Sequence, residues 1–175
     1  DETLGAFDSL IQSGKVRYIA ASNFKAERLQ ESLEVSRKNG FAAYVAAQDQ
    51  FNLLERDYER TLQPTLVKNS LSQLPYFGLA RGFLTGKYRP GKSVESMRAG
   101  GMGSYQNERG WALLSKIDDL AEKYQTTVSA IALAWLRAQP SVAAPIASAR
   151  NLEQLKEIMP VVALSTEALQ MLTNS

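Results

Sequence analysis

Short apolar runs rich in β-branched and aromatic residues alternate with stretches whose apolar residues recur at helical spacing, and this alternation most limits what the chain can fold into. It predicts parallel β/α units, because a helix that returns the chain to start the next strand in the same direction buries its apolar stripe on the sheet. Leu4, Phe7, Leu10 and Ile11 stripe a first helix that stops at Ser13-Gly14. Val16-Arg17-Tyr18-Ile19-Ala20-Ala21 reads as a strand, and Ser22-Asn23 behind it are residue types that cap a helix. Over residues 25–38, Ala26, Leu29 and Leu33 share one helical face, and Asn39-Gly40 suits a left-handed carboxy-terminal cap.

The same rhythm continues. Tyr44-Val45-Ala46-Ala47-Gln48 fits a second strand, and residues 58–68 suit a helix with Pro64 as an interruption. A third strand is expected over residues 71–76 by position, although Ser72, Gln73 and Pro75 make it unusually polar for a buried parallel strand. Residues 89–103, with Pro90-Gly91 and Gly100-Gly101, read as a loop of a length that is often functional. Leu114, Ile117, Leu120 and Tyr124 stripe one further helix, and Val128, Ile131, Ala132, Trp135 and Leu136 the next, with Trp111 and Trp135 as core. Residues 141–146 suit a fourth strand, with helices over 151–158 and 166–172. The expected fold is α/β with TIM-barrel-type units, about four parallel strands with helices, in a single domain over residues 1–175.

Composition narrows the chemistry. The chain of 175 residues has no cysteine and no histidine, which removes disulfides, thiolate nucleophiles, His-based triads and most catalytic zinc sites. Lys and Arg number 20 against 18 Asp and Glu, interspersed, so no nucleic-acid-binding face is expected. No apolar run is long enough to span a bilayer, and the first residues lack the features of a secretory signal, so a cytoplasmic location is expected. Carboxylates at Asp57, Glu59, Asp118 and Asp119 form no glycosidase pair, and no nucleophile elbow, Walker loop or metal-spaced cluster is present.

The clearest motif runs Tyr76-Phe77-Gly78-Leu79-Ala80-Arg81-Gly82-Phe83-Leu84-Thr85-Gly86-Lys87-Tyr88. It resembles the strand-seven loop of aldo-keto reductases, where a Leu-x-x-Gly-x-Leu-x-Gly-Lys run cradles the cofactor. Three other segments agree in order. Tyr18-Ile19-Ala20-Ala21-Ser22-Asn23-Phe24 resembles the fifth strand and its exit. Gln48 with Phe51-Asn52 resembles the sixth. Pro145-Ile146-Ala147-Ser148-Ala149-Arg150-Asn151-Leu152-Glu153-Gln154 resembles the eighth strand and its phosphate-binding turn. The resemblance implies the carboxy-terminal half of a (β/α)8 barrel, in keeping with a chain shorter than the roughly 200 to 250 residues of a complete one. It implies NADP (NADPH) as cofactor, a small-molecule carbonyl substrate, and cofactor-binding roles for the matched positions.

By that resemblance Tyr76 stacks on the nicotinamide, and Ser22, Asn23 and Gln48 grip its amide. The stretch Phe77, Gly78, Leu79, Ala80, Arg81 and Gly82 brings backbone close to the pyrophosphate, where Arg81 and Lys87 add positive charge. Ser148 and Arg150 belong to the turn for the 2′-phosphate, and Gln154 meets the adenosine side with Glu157 assisting. Taken singly, each residue also has a plain reading: Ser22-Asn23 as a helix cap, Gln48 as a loop anchor, Tyr76 as core or rim, the glycines as turns, Lys87 and Arg150 as solvated charges.

The sequence departs from the family at Ile158, where Asn is common, at Ser148, where Gly is frequent, and at Gln50, where many relatives place a histidine. The family's catalytic Asp, Tyr, Lys and His belong to the second to fourth strands, and this chain is expected to begin in the helix after strand four. No catalytic residue is therefore assigned in it. Two readings follow: the cofactor-binding half of an NADP-dependent reductase, or a non-catalytic nucleotide-binding or scaffold half barrel. The missing amino-terminal half, or self-association, is the expected partner.

Overall fold

The computed structural model describes residues 1–91 and 103–175. The chain opens with α1 (Glu2–Gln12), whose Leu4 is buried while Phe7 and Ile11 pack against the core. Strand β1 (Ile19–Ser22) follows, then α2 (Ala26–Asn39) and β2 (Tyr44–Gln48). The left-handed stop expected at Gly40 is present, at φ 70°, with its N–H on Ser36 O.

The single helix expected over 58–68 divides into α3 (Asp57–Thr61) and α4 (Gln63–Lys68), with Pro64 in the first turn of the second. Proline has no N–H to extend the preceding helix, but at a helix start that donor is unused.

β2 lies between β1 and β3 (Ser72–Gln73), and both pairings are parallel. The expected third and fourth strands are shorter than the sequence indicates. β3 has two regular residues, after which the pairing continues only through Leu74 N on Ala47 O, Tyr76 N on Asp49 O and a bridge between Gln50 and Tyr76. The segment expected as a fourth strand is no regular strand. It is bridged to Gln73 at Val142 and held by Ala143 N on Gln73 O and Ile146 N on Pro75 O. Pro75 and Pro145 supply no N–H, so neither ladder can run unbroken.

The chain ends in α5 (Glu108–Lys123), α6 (Val128–Arg137), α7 (Leu152–Ile158) and α8 (Thr166–Thr173), with α6 packed against α5 and α7 and α8 against α5. Residues 129–136 of α6 are all buried, as befits a helix apolar on nearly every side. Trp135 and Phe51 are fully buried with ring centroids 5.4 Å apart, and Phe83 sits 5.1 Å from the partly buried Trp111. Each such large side chain contributes roughly 1.5–3 kcal/mol on burial. Asn107, Thr127, Asn151 and Ser165 cap the four helices, each side chain accepting a first-turn N–H.

The strands are only partly covered. β1 buries Ile19 and Ala21 but exposes Ala20 and Ser22, Val45 on β2 is 44 % exposed, and Tyr18 ahead of β1 is 72 % exposed. Helix α7 buries none of its residues and leaves Leu152 and Leu155 exposed, with Met159 and Val161 following. Most of the loop expected over 89–103 lies outside the described residues. Among those described, no helix is long and apolar enough to cross a membrane.

Candidate functional site

The segment after β3 turns on residues that side chains seldom allow. Phe77, Ala80 and Arg81 are left-handed at φ 53°, 45° and 56°, and Gly82 follows at 102°. Such positions cost of order 1–3 kcal/mol each and persist only where the surroundings over-determine them. Here Ala80, Phe83 and Leu84 are fully buried, and Ala80 N and Gly82 N each close a turn at 2.8 Å, on Phe77 O and Leu79 O. Thr85 Oγ1 donates to Gly82 O at 2.8 Å. The fully buried Asn52 donates from Nδ2 to Phe77 O at 2.9 Å, while its Oδ1 accepts from Leu54 N and Glu55 N.

This segment forms one wall of a crevice of about 700 Å³, within the usual range for ligand sites. Residues 146–148, Arg150 and the α7 residues Gln154, Glu157 and Ile158 form the other side, and Ser129 of α6 also lines it. Of the positions singled out from sequence, Tyr76, Phe77, Gly78, Leu79, Arg81, Gly82, Lys87, Ser148, Arg150, Gln154 and Glu157 all line this space. Three separate stretches, residues 76–87, Ser129 and residues 146–158, therefore converge on one space.

Ala80 does not line the crevice; its methyl group is packed into the core. Gly78 does, but a Cβ there would lie 2.8 Å from Leu136 Cδ1, so close packing of α6 by itself favours glycine. Ser22, Asn23 and Gln48 stand beyond the lining and join it through hydrogen bonds. Tyr76 Oη donates to Asn23 Oδ1 at 2.7 Å, Asn23 Nδ2 donates to Ser22 Oγ at 3.1 Å, and Asn23 N donates to Gln48 O at 3.1 Å.

The charges in the crevice are mostly positive: Arg81, Lys87 and Arg150 against Glu157. The Arg81 guanidinium lies 4.2 Å from the Phe77 ring centroid, and Lys87 Nζ lies 5.0 Å from that of Tyr88. Around Gly82 a Cβ would meet only Lys87, at 3.6 Å, so this backbone is open towards a cation. The turn into α7 is self-capped: Asn151 Oδ1 accepts from Gln154 N, and Gln154 Oε1 accepts from Arg150 N at 3.0 Å. That bond occupies one face of the Gln154 amide with the turn.

Two contributors are not among the cofactor-binding positions expected from sequence. Ser129 lies far from every motif, is 1 % exposed, and its Oγ has no hydrogen-bond partner among the described residues. Asn52 was visible only as part of a matched segment, although it anchors the wall. Chemically the crevice can hold an anion and present an aromatic ring. Tyr58, whose burial raises its hydroxyl to about 12, is bonded to Ser141 and lies outside the lining.

The family model described as "Aldo/keto reductase family" matches residues 1–174. An uncharacterized oxidoreductase of Bacillus subtilis, YrpG, is 33 % identical over 176 residues, 99 % of this chain and 53 % of the relative. A putative aryl-alcohol dehydrogenase of Schizosaccharomyces pombe is 30 % identical over 166 residues, 94 % of this chain and 47 % of the relative. Among solved structures, the glycerol dehydrogenase of Gluconobacter oxydans superposes with a TM-score of 0.78 at 27 % identity, covering 96 % of this chain and 51 % of that one. The chain thus spans about half the length of the relatives it matches. With its parallel sheet and four matched segments in order, the chain belongs to the aldo/keto reductase family.

Proposed function

We propose that this chain is the cofactor-holding half of an NADP-dependent reductase of aldehyde or ketone carbonyls. The observation that carries the reading is the convergence of Arg81, Lys87 and Arg150 on one crevice with the open, left-handed backbone at Gly82. A pyrophosphate favours close backbone approach and cations, and a further phosphate favours a guanidinium. The residues present fit that group, and the orphaned Ser129 hydroxyl in the wall adds an unused donor.

Arg81 and Lys87 would hold the pyrophosphate, Arg150 the 2′-phosphate, and Tyr76 the nicotinamide face, with Ser22, Asn23 and Gln48 at its amide. A bound nicotinamide would supply the hydride. This chain's own residues bind and orient. Tyr76, fixed by Asn23, would leave a single ring face for substrate. No group lining the described crevice is paired as a proton donor, so the proton would come from the family's amino-terminal β/α units, which would also cover the exposed sheet face. By itself the chain would not turn over, since general-acid catalysis is worth roughly 10²- to 10⁴-fold.

The test is discrimination between NADPH and NADH by calorimetry. Arg150→Ala is expected to weaken NADPH by about tenfold or more and leave NADH nearly unchanged, because only NADPH carries the phosphate that a charged hydrogen bond would hold. Equal losses for both would remove the 2′-phosphate role.

A further inference from the structure

Glycine is the usual occupant of a left-handed position, yet the segment after β3 places Phe77 at φ 53° and Arg81 at φ 56°. For a side chain as bulky as phenylalanine this conformation is rare and costs free energy. The side chains of these two strained residues also meet. The Arg81 guanidinium lies over the Phe77 ring, 4.2 Å from its centroid, and both residues line the crevice.

The ring is held from two directions. Phe77 O accepts from the fully buried Asn52 Nδ2 at 2.9 Å and from Ala80 N at 2.8 Å, which fixes the backbone beneath it. The Tyr76 ring stands nearly perpendicular to that of Phe77, at 79° with centroids 5.1 Å apart, and Tyr76 Oη is tied to Asn23. The support under the cation is therefore rigid before any ligand is bound.

Two other partly buried arginines are held differently. Arg56 and Arg89 each pair with a carboxylate at 2.8 Å, Glu59 and Asp118. Among the described residues Arg81 has no carboxylate partner, and the Phe77 ring stands in its place. The difference matters to a ligand. A carboxylate takes up guanidinium donors and offsets the charge, whereas an aromatic face attracts the cation without using an N–H, because those donors lie in the guanidinium plane.

We propose that Phe77 is a positioning residue for Arg81: its ring holds the guanidinium in place before an anionic ligand arrives and leaves the fork of donors free for phosphate. The proposal rests on the dinucleotide reading of the crevice. A long side chain loses rotamer freedom when it engages a phosphate, and prior fixation removes that cost from binding.

The experiment is a double-mutant cycle on this chain, read by NADPH calorimetry with thermal melts recorded alongside. Phe77→Leu keeps the apolar bulk and removes the aromatic face. It is expected to weaken NADPH about three- to tenfold, the range set by a cation–π contact and the ordering of one long side chain. Phe77→Tyr restores a ring and is expected to match the unsubstituted chain. In an Arg81→Ala background Phe77→Leu is expected to be silent, because the residue it acts through is gone. A ring that touched the ligand itself, or only supported the wall, would instead lower affinity equally in both backgrounds. The proposal is overturned by that additivity, by undiminished affinity in Phe77→Leu or Arg81→Ala, or by a Phe77→Tyr variant as weak as Phe77→Leu. If Phe77→Leu fails to fold, Arg81→Lys carries the test. The ammonium keeps the charge but has no plane to lie on the ring, so a loss in the same range is expected and unaltered affinity overturns the proposal. No NADPH binding by the unsubstituted chain overturns the dinucleotide reading and this proposal with it, whereas binding without the coupling overturns this proposal alone.

Discussion

Tyr76 Oη donates to Asn23 Oδ1 at 2.7 Å, tying together two residues 53 positions apart at the exits of strands that do not pair with each other. The bond spans the exit of β2, adding a side-chain tie beside the backbone bonds of Asn23 to Gln48 and of Tyr76 to Asp49. Asn23 is left-handed at φ 58°, a conformation that asparagine tolerates better than most residues.

Two substitutions separate these contributions. Asn23→Gly keeps the backbone conformation and loses the bond, while Asn23→Ala loses both. Denaturant midpoints are expected to fall in the order native, Asn23→Gly, Asn23→Ala, with about 1 kcal/mol between the last two. The reverse order of the variants would show that the left-handed backbone is not maintained.

Two glycines that read alike in sequence differ in what surrounds them. A Cβ on Gly110 would lie 1.9 Å from Tyr105 O, a backbone atom, whereas one on Gly78 would lie 2.8 Å from the end of the Leu136 side chain. Gly110→Ala is expected to cost about 3 kcal/mol despite the roughly 1 kcal/mol that alanine gains in a helix, and Gly78→Ala about 1 kcal/mol. Urea unfolding of the two variants checks the ranking, and similar losses would refute it.

How far the sequence disclosed this fold depended on whether the signal was local. The stripe Leu114, Ile117, Leu120 and the Gly40 stop are properties of adjacent residues, and both appear where expected. Strand length is not local. Residues 71–76 and 141–146 suggest full strands, but Pro75 and Pro145 break the ladders, leaving Ser72–Gln73 and single bridges at Tyr76 and Val142. The same divide applies to the crevice. The glycine-rich run and Arg150 lie in contiguous motifs, whereas Ser129 reaches the wall only because α6 packs against Gly78 and Gly86. Ala80 belongs to the motif yet faces the core, since membership of a motif does not set a side chain's direction.

The uncovered face carries a prediction about association. Tyr18 and Val45 stand exposed at the strands, Leu152 on α7 and Met159 just after it, and among the described residues β1 is paired on one side only. Open edges beside apolar surface favour association. Sedimentation velocity on the 175-residue chain is expected to show dimers or larger species, and a lone monomer across the micromolar range would contradict this.

If the crevice between the 76–88 segment and α7 holds a dinucleotide through its cations, Lys87 is needed for tight binding. Fluorescence titration with NADPH, comparing the unsubstituted chain with Lys87→Ala, measures this. Saturable binding that weakens about tenfold or more when the ammonium is removed is expected, as for a hydrogen bond to a charged group. Undiminished affinity in Lys87→Ala, or no saturable binding by the unsubstituted chain, is the opposite result.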